Sequence, residues 1–215
     1  MTRLWDVVKI SLLWFLCSLP IVTIGASTVA LSYVTIKMVD DTEGYVARQF
    51  LKAFRENLKN GIPLGIILII CVELVNINFQ LFEQLEDNPF ILLVCAFVAA
   101  FCTFMGFIYA FHLTARYENT VVNTIKNSVN VATRYFLRTL LLGLIVGGEF
   151  FLIFFNWTTI FVGALIGPGL ISLTISGFFV PFYKELEKQD GTVSGYQPTP
   201  GDEDYKMPEE ESAKR

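Results

Sequence analysis

Charge is what this chain lacks most. Asp, Glu, Lys and Arg make up 17% of its 215 residues, against about 25% in ordinary soluble domains. There is one histidine, His112, and there are four cysteines: Cys17, Cys71, Cys95 and Cys102. No two cysteines stand at C-x-x-C spacing, and each lies in an apolar run, so they read as small packing residues rather than disulfides or metal ligands. One histidine without a second ligand at metal spacing argues against a zinc site. It reads instead as an interfacial side chain, satisfied by water or headgroups. A phosphate-cradling G-x-x-x-x-G-K-[ST] loop is missing, which excludes ATP hydrolysis by that route, and so is H-E-x-x-H. No Ser or Cys has a dedicated histidine base. The expectation is a protein that is not an enzyme and uses no metal or cofactor. Basic residues are scattered over the connectors between apolar runs rather than gathered into one footprint, so a nucleic-acid partner is not expected.

What is present is apolar. Hydrophobic residues make up 53% of the chain and phenylalanine alone contributes 20; the mean hydropathy is +0.54. A single soluble core cannot hide that much apolar surface, whereas a bilayer can. Crossing the hydrocarbon layer takes roughly 20 apolar residues as a helix, and five segments approach or reach that length: 10–36, 61–82, 90–113, 139–155 and 160–183. The expected fold is an all-α, polytopic membrane bundle over residues 1–188, followed by an acidic, disordered tail over 189–215 that holds the clusters 202–204 and 209–211. The long apolar start and the lack of a clean cleavage site argue against a removable signal peptide.

Lys and Arg set the orientation. The first long connector carries Lys37, Arg48, Lys52, Arg55 and Lys59, the second Arg116, Lys126, Arg134 and Arg138, and Lys184 and Lys188 follow the last span. The short connectors 83–89 and 156–159 carry no base. The basic connectors and the C-terminus therefore belong on the cytoplasmic side of a plasma membrane. The first segment, 10–36, is interrupted by Pro20 and Gly25. It either crosses, with the N-terminus outside, or re-enters, with the N-terminus on the cytoplasmic side.

Both long connectors have helical period. Val46, Phe50, Phe54 and Leu58 form one side of 45–60, and the bases Arg48, Lys52, Arg55 and Lys59 the other. Over 119–135, Val122, Ile125, Val129 and Ala132 alternate in the same way with Asn119, Asn123, Lys126, Asn127 and Arg134. Helices so divided are expected to lie in the membrane interface, with apolar residues in acyl chains and cations at phosphates. Each precedes a pair of spans, a weak internal repeat. One of the two could instead be a docking surface.

Polar groups inside the spans mark candidate sites. Glu73 lies in the second span, with Asn76 and Gln80 on the same helical face, and Glu149 lies deep in the fourth. An acidic residue at the bilayer centre costs about 2.5–3.5 kcal/mol on insertion scales, so both carboxylates are expected to face the bundle interior, as a proton or cation site or as structural groups. Gly143 and Gly147, and Gly163 and Gly167, are G-x-x-x-G pairs suited to close helix packing. Gly167, Pro168 and Gly169 interrupt the last span, where proline removes a backbone donor. With Pro20 and Gly25, they predict first and last helices that are broken, with Thr23, Ser27 and Thr28 on hand for backbone groups freed near Pro20.

Two stretches carry a resemblance. The tryptophan-containing apolar run with Pro20, Thr23, Gly25 and Ala26, followed by a basic segment with Phe50, Phe54 and Asn57, resembles the YesL-like membrane proteins of Gram-positive bacteria, a family of unknown function. The likeness extends over residues 1–188. It implies a role beside carbohydrate ABC importers, as an accessory subunit contacting the permease pair and supporting assembly or regulation of sugar uptake. It supplies no catalytic or binding residues. The rival reading is a small autonomous transporter or channel that uses Glu73 and Glu149.

Overall fold

A computed structural model describes residues 3–42, 44–84, 90–117, 119–155 and 157–190. The expected tail falls outside the described residues from 191 onward, as do parts of both short connectors. Among the described residues the fold is all α, with nine helices. Four stretches are long and apolar enough to cross a membrane: Ile21–Val39, Leu58–Gln84, Phe90–Arg116 and Phe136–Phe154. A shorter apolar stretch, Leu165–Pro181, lies in the last helix. The chain is a helical membrane protein.

The first apolar segment does not form one rod. Helix α1, Arg3–Cys17, ends before Pro20; a 3₁₀ turn over Ile21–Thr23 follows, and α2 runs over Ile24–Val39. Pro20 is extended, with φ −75° and ψ 114°, as a residue without a backbone N–H suits a break rather than a helix interior. Thr23 Oγ1 donates to the carbonyl of Cys17 or of Pro20, each at 2.7 Å, which satisfies groups that the break frees. The two helices fold back on each other. Val7 and Ile10 share a core with Val34 and Met38, the Trp14 Nε1–H donates to Thr28 Oγ1 at 3.1 Å, and Ser18 Oγ meets Ser27 Oγ at 2.6 Å. The start of α1 and the end of α2 therefore lie together. Residues 10–36 thus fold as a helical hairpin rather than one rod, and α2 within it is itself long and apolar enough to cross. Gly25 is not a break; it sits inside α2.

Helix α2 is the hub. Ala26, Val29, Ala30, Val34 and Thr35 are fully buried, and Gly25, Ser27 and Ser32 are buried beside them. Small side chains let several backbones approach one helix. Helix α3, Val46–Glu56, packs along α2 and α1. Its polarity is as expected, with Arg48, Lys52 and Arg55, and Lys59 just beyond, all exposed. Its apolar side, however, meets protein rather than lipid: Phe50 is fully buried among Val7, Ile10, Leu31 and Val34. The α1–α2 hairpin offers an apolar groove there, and burial against it removes the same surface from water as acyl chains would.

Helix α4, Leu58–Gln84, pairs with α5, Phe90–Phe107; α8, Phe136–Phe154, pairs with α9, Trp157–Asp190. After α5 the chain turns at Ile108 and Tyr109 into α6, Ala110–Arg116, which lies against α2. Helix α7, Val121–Arg134, docks on α5 and α6. It does so through Thr124, Ser128 and Ala132, which are buried, with Ile125 packed against the core beside them; Val122 and Val129, expected to face acyl chains, are exposed. The four-residue spacing of these small groups permits close approach, and Ser128 Oγ donates to the Met105 carbonyl at 3.3 Å. Asp40 closes one end of the bundle by accepting from Tyr183 Oη and Lys184 Nζ, each at 2.5 Å. The Arg116 guanidinium lies over the Tyr183 ring there, 3.6 Å from its centroid.

Candidate functional site

Where α2, α6 and α9 meet, four buried polar side chains form one hydrogen-bonded cluster. Thr35 Oγ1 stands 2.8 Å from both Ser172 Oγ and Ser176 Oγ, and Ser176 Oγ stands 3.0 Å from His112 Nε2. Thr35 has a single hydroxyl proton, directed to the Leu31 carbonyl at 3.0 Å or that of Ser32 at 3.1 Å. With that proton on a backbone carbonyl, Thr35 Oγ1 accepts from both serines. With its own proton given to Thr35, Ser176 Oγ accepts from His112, so Nε2 carries the imidazole proton. The Ser172 carbonyl, 3.4 Å from Nε2, agrees with that tautomer. His112 is 3% exposed, not the headgroup-facing side chain its place near the end of a span implied. The reason is that α6 packs along α2, and His112 meets Ser176 of α9 there.

Beside the cluster lies a cavity of about 570 Å³, within the range of small-molecule sites. Helices α1, α2, α4, α5, α6, α8 and α9 all contribute to its wall, which is mainly aromatic and aliphatic, as at Phe104, Phe107 and Ile171. His112 and Ser172 bring the polar cluster to one side of it.

A second polar contact explains how α9 survives its proline. The helix was expected to break at Gly167, Pro168 and Gly169, yet it continues through them. Pro168 cannot supply the usual donor. Ser11 of α1 packs there, fully buried: its Oγ accepts from the Gly169 N–H at 3.0 Å and lies 3.3 Å from the Ile166 carbonyl. A Cβ on Gly169 would fall 2.5 Å from that Oγ, so glycine is what admits the hydroxyl. Tertiary contact thus offsets the local penalty.

The intramembrane acids do not converge. Glu73, Asn76 and Gln80 share one face of α4 and all three are exposed, so Glu73 faces outward rather than into the bundle. The bundle side of α4 is taken by Gly61, Leu64 and Gly65, which are buried. Glu149 does turn toward α9, where its Oε1 accepts from Thr174 Oγ1 at 2.6 Å; its Oε2 is buried with no hydrogen-bond partner among the described residues. The glycine pairs also divide. Ile153 of α8 fills the space over Gly163 and Gly167, and the Phe104 ring lies over Gly143, while nothing lies within 4 Å of a Cβ placed on Gly147. Backbone-to-backbone approach occurs elsewhere, between Gly25 of α2 and Gly61 and Gly65 of α4. No group of three or more His, Cys, Asp or Glu suited to a metal occurs among the described residues.

Sequence reasoning passed over Ser11, Thr35, Ser172 and Ser176. The one available signal was the four-residue spacing of Ser172 and Ser176 within an apolar span, which stacks two hydroxyls on one helical face.

Residues 7–79 match the family described as Protein of unknown function, DUF624. That stretch runs from α1 into α4 and includes Pro20, Thr23, Gly25, Phe50 and Asn57. No curated protein and no solved structure matches the chain.

Proposed function

We propose that the protein is an accessory subunit of a bacterial plasma-membrane transport complex, not an enzyme, and that α4 docks it laterally on partner helices. The observation that carries this reading is the outward face of α4. Glu73, Asn76 and Gln80 are exposed on one face of a helix that is mainly apolar. Facing acyl chains, these groups lack partners, and interhelical hydrogen bonds are what such side chains provide in membranes. The resemblance to YesL-like proteins supports a carbohydrate ABC importer as the complex, with its permease subunits as the partners, and assembly or regulation of sugar uptake as the role. Basic connectors in contact with the cytoplasm, and a cytoplasmic C-terminus, follow from the distribution of Lys and Arg.

The autonomous transporter has less support. Glu73 is exposed on α4 while Glu149 turns toward Thr174 of α9, and neither borders the cavity.

A photo-crosslinking amino acid at position 80, introduced in native membranes, tests the docking. The expected result is an adduct with a permease subunit, and a tenfold or greater loss of co-purified permease when Asn76→Leu and Gln80→Leu are combined. Lipid adducts alone, with unchanged co-purification, would refute it.

A further inference from the structure

The cavity has an unusual hydrogen-bonding character that does not depend on how α4 docks. Six polar side chains border it: Trp14, Thr28, Ser32, Thr103, His112 and Ser172. Each has already committed its proton. Thr28 Oγ1 donates to the Ile24 carbonyl at 2.7 Å, Ser32 Oγ to that of Thr28 at 2.9 Å, and Thr103 Oγ1 to that of Ala99 at 2.8 Å. Trp14 Nε1–H is held by Thr28, and Ser172 Oγ–H by Thr35. His112 donates through Nε2 to Ser176. Its Nδ1 has no hydrogen-bond partner among the described residues, and in this tautomer that nitrogen is a lone-pair acceptor. The wall therefore offers acceptors and no free side-chain donor, and no charged side chain borders it among the described residues.

We propose that this cavity binds a neutral, hydroxyl-bearing lipid-like molecule, of the long-chain alcohol type, whose O–H donates to His112 Nδ1 while its chain lies among the phenylalanines. A carboxylate or phosphate headgroup brings acceptors to a wall of acceptors, with no cation to offset its charge, and is rejected. The chain enters from the bilayer, past Phe15, Phe150 and Phe154, which line the cavity and are 54%, 49% and 66% exposed.

The test uses full-length protein in nanodiscs with Trp5→Phe and Trp157→Phe, so that Trp14 at the cavity wall is the sole indole. Its fluorescence is titrated with ω-bromoundecanol, the methyl ether of that alcohol and the corresponding ω-bromocarboxylate, the bromine quenching on contact. Saturable quenching is expected, with the alcohol half-saturating at roughly 2–10-fold lower concentration than the ether, as one net hydrogen bond provides. The carboxylate should be weakest. His112→Phe should remove the alcohol's advantage and leave alcohol and ether alike. The ligand series on the protein with His112 intact decides the matter even if that variant does not fold. Equal binding of alcohol and ether there, tighter binding of the carboxylate, or quenching that never saturates would overturn the proposal.

Discussion

The α2–α4 crossing and the α8–α9 pair use the same residue type in opposite ways. At the crossing, a Cβ on Gly25 would lie 2.0 Å from the Gly61 carbonyl oxygen and 2.7 Å from the Gly65 Cα, and one on Gly61 would lie 2.5 Å from the Ala26 Cα. Backbone meets backbone, and no rotamer change can make room. Along α8 and α9 the glycines meet side chains, Phe104 over Gly143 and Ile153 over Gly163 and Gly167, or nothing, as at Gly147. Helix α2 is the enclosed member: 61% of Ile21–Val39 is buried by protein, against 17% for Phe136–Phe154, whereas α4 is buried only near the crossing, at Gly61, Leu64 and Gly65. A G-x-x-x-G spacing permits close approach, but a partner backbone must be present to use it. The N-terminal crossing is the rigid joint of the molecule, and the α8 surface is where lipid substitutes for protein.

Breaking the joint should have the largest effect. Gly61→Val places a branched side chain where the Ala26 backbone stands, and overpacking of this kind costs about 1–3 kcal/mol or more. The backbone contact puts it at the upper end. Size-exclusion chromatography after stepwise heating in mild detergent should show loss of the monodisperse peak at a much lower temperature than for the parent. A midpoint within a degree or two of the parent would mean that α2 and α4 do not cross this closely.

The second contact to break is Ser11 at Pro168. Ser11→Ala keeps the volume and leaves the Gly169 N–H without its acceptor. An unsatisfied buried group costs about 1–3 kcal/mol, so the same heating assay should register a smaller but clear loss. Combining Ser11→Ala with Pro168→Ala should recover part of it, because the restored N–H at position 168 repairs the backbone ladder of α9. If the double variant is no more stable than Ser11→Ala alone, the hydroxyl is not compensating for the proline.

These contacts mark what was legible in the sequence and what was not. Local periodicity was: the Val46–Phe50 face and the opposing Arg48, Lys52 and Arg55 of α3 appear in the structure as read. What covers the apolar face was not, because an amphipathic helix satisfies the same pattern against lipid or protein. In α7 the apolar face as read was Val122, Ile125, Val129 and Ala132; Ala132 is buried and Ile125 packs on the core, but the docked face also takes in Thr124 and Ser128, because in a membrane small size and a hydroxyl favour close contact as apolarity alone does not. Pro168 read locally as a break, whereas the helix runs through it and Ser11, far away in the chain, accepts the Gly169 N–H beside it. The Thr35, Ser172, Ser176 and His112 cluster was invisible for the same reason. Its members come from three helices, and each alone is an ordinary polar residue in an apolar segment.

The smallest effect sharpens the comparison from the other side. Gly147→Ala adds a methyl group at a position with nothing within 4 Å, so it meets no steric cost. It also removes a residue that disfavours a helix interior by about 0.8–1.0 kcal/mol relative to alanine in water, a preference that the lipid-facing setting reduces but does not reverse. The heating midpoint should stay equal to the parent's or rise slightly, although Gly147 belongs to a G-x-x-x-G pair and Gly61 stands four residues from Gly65 in the same spacing. A clear fall for Gly147→Ala in the isolated protein would place a neighbouring helix against α8, and would give that surface the tight packing assigned here to α2 and α4. If the fall appears only in native membranes, where partners are retained, α8 rather than α4 is the face that receives them, and the docking assigned to Glu73, Asn76 and Gln80 moves with it.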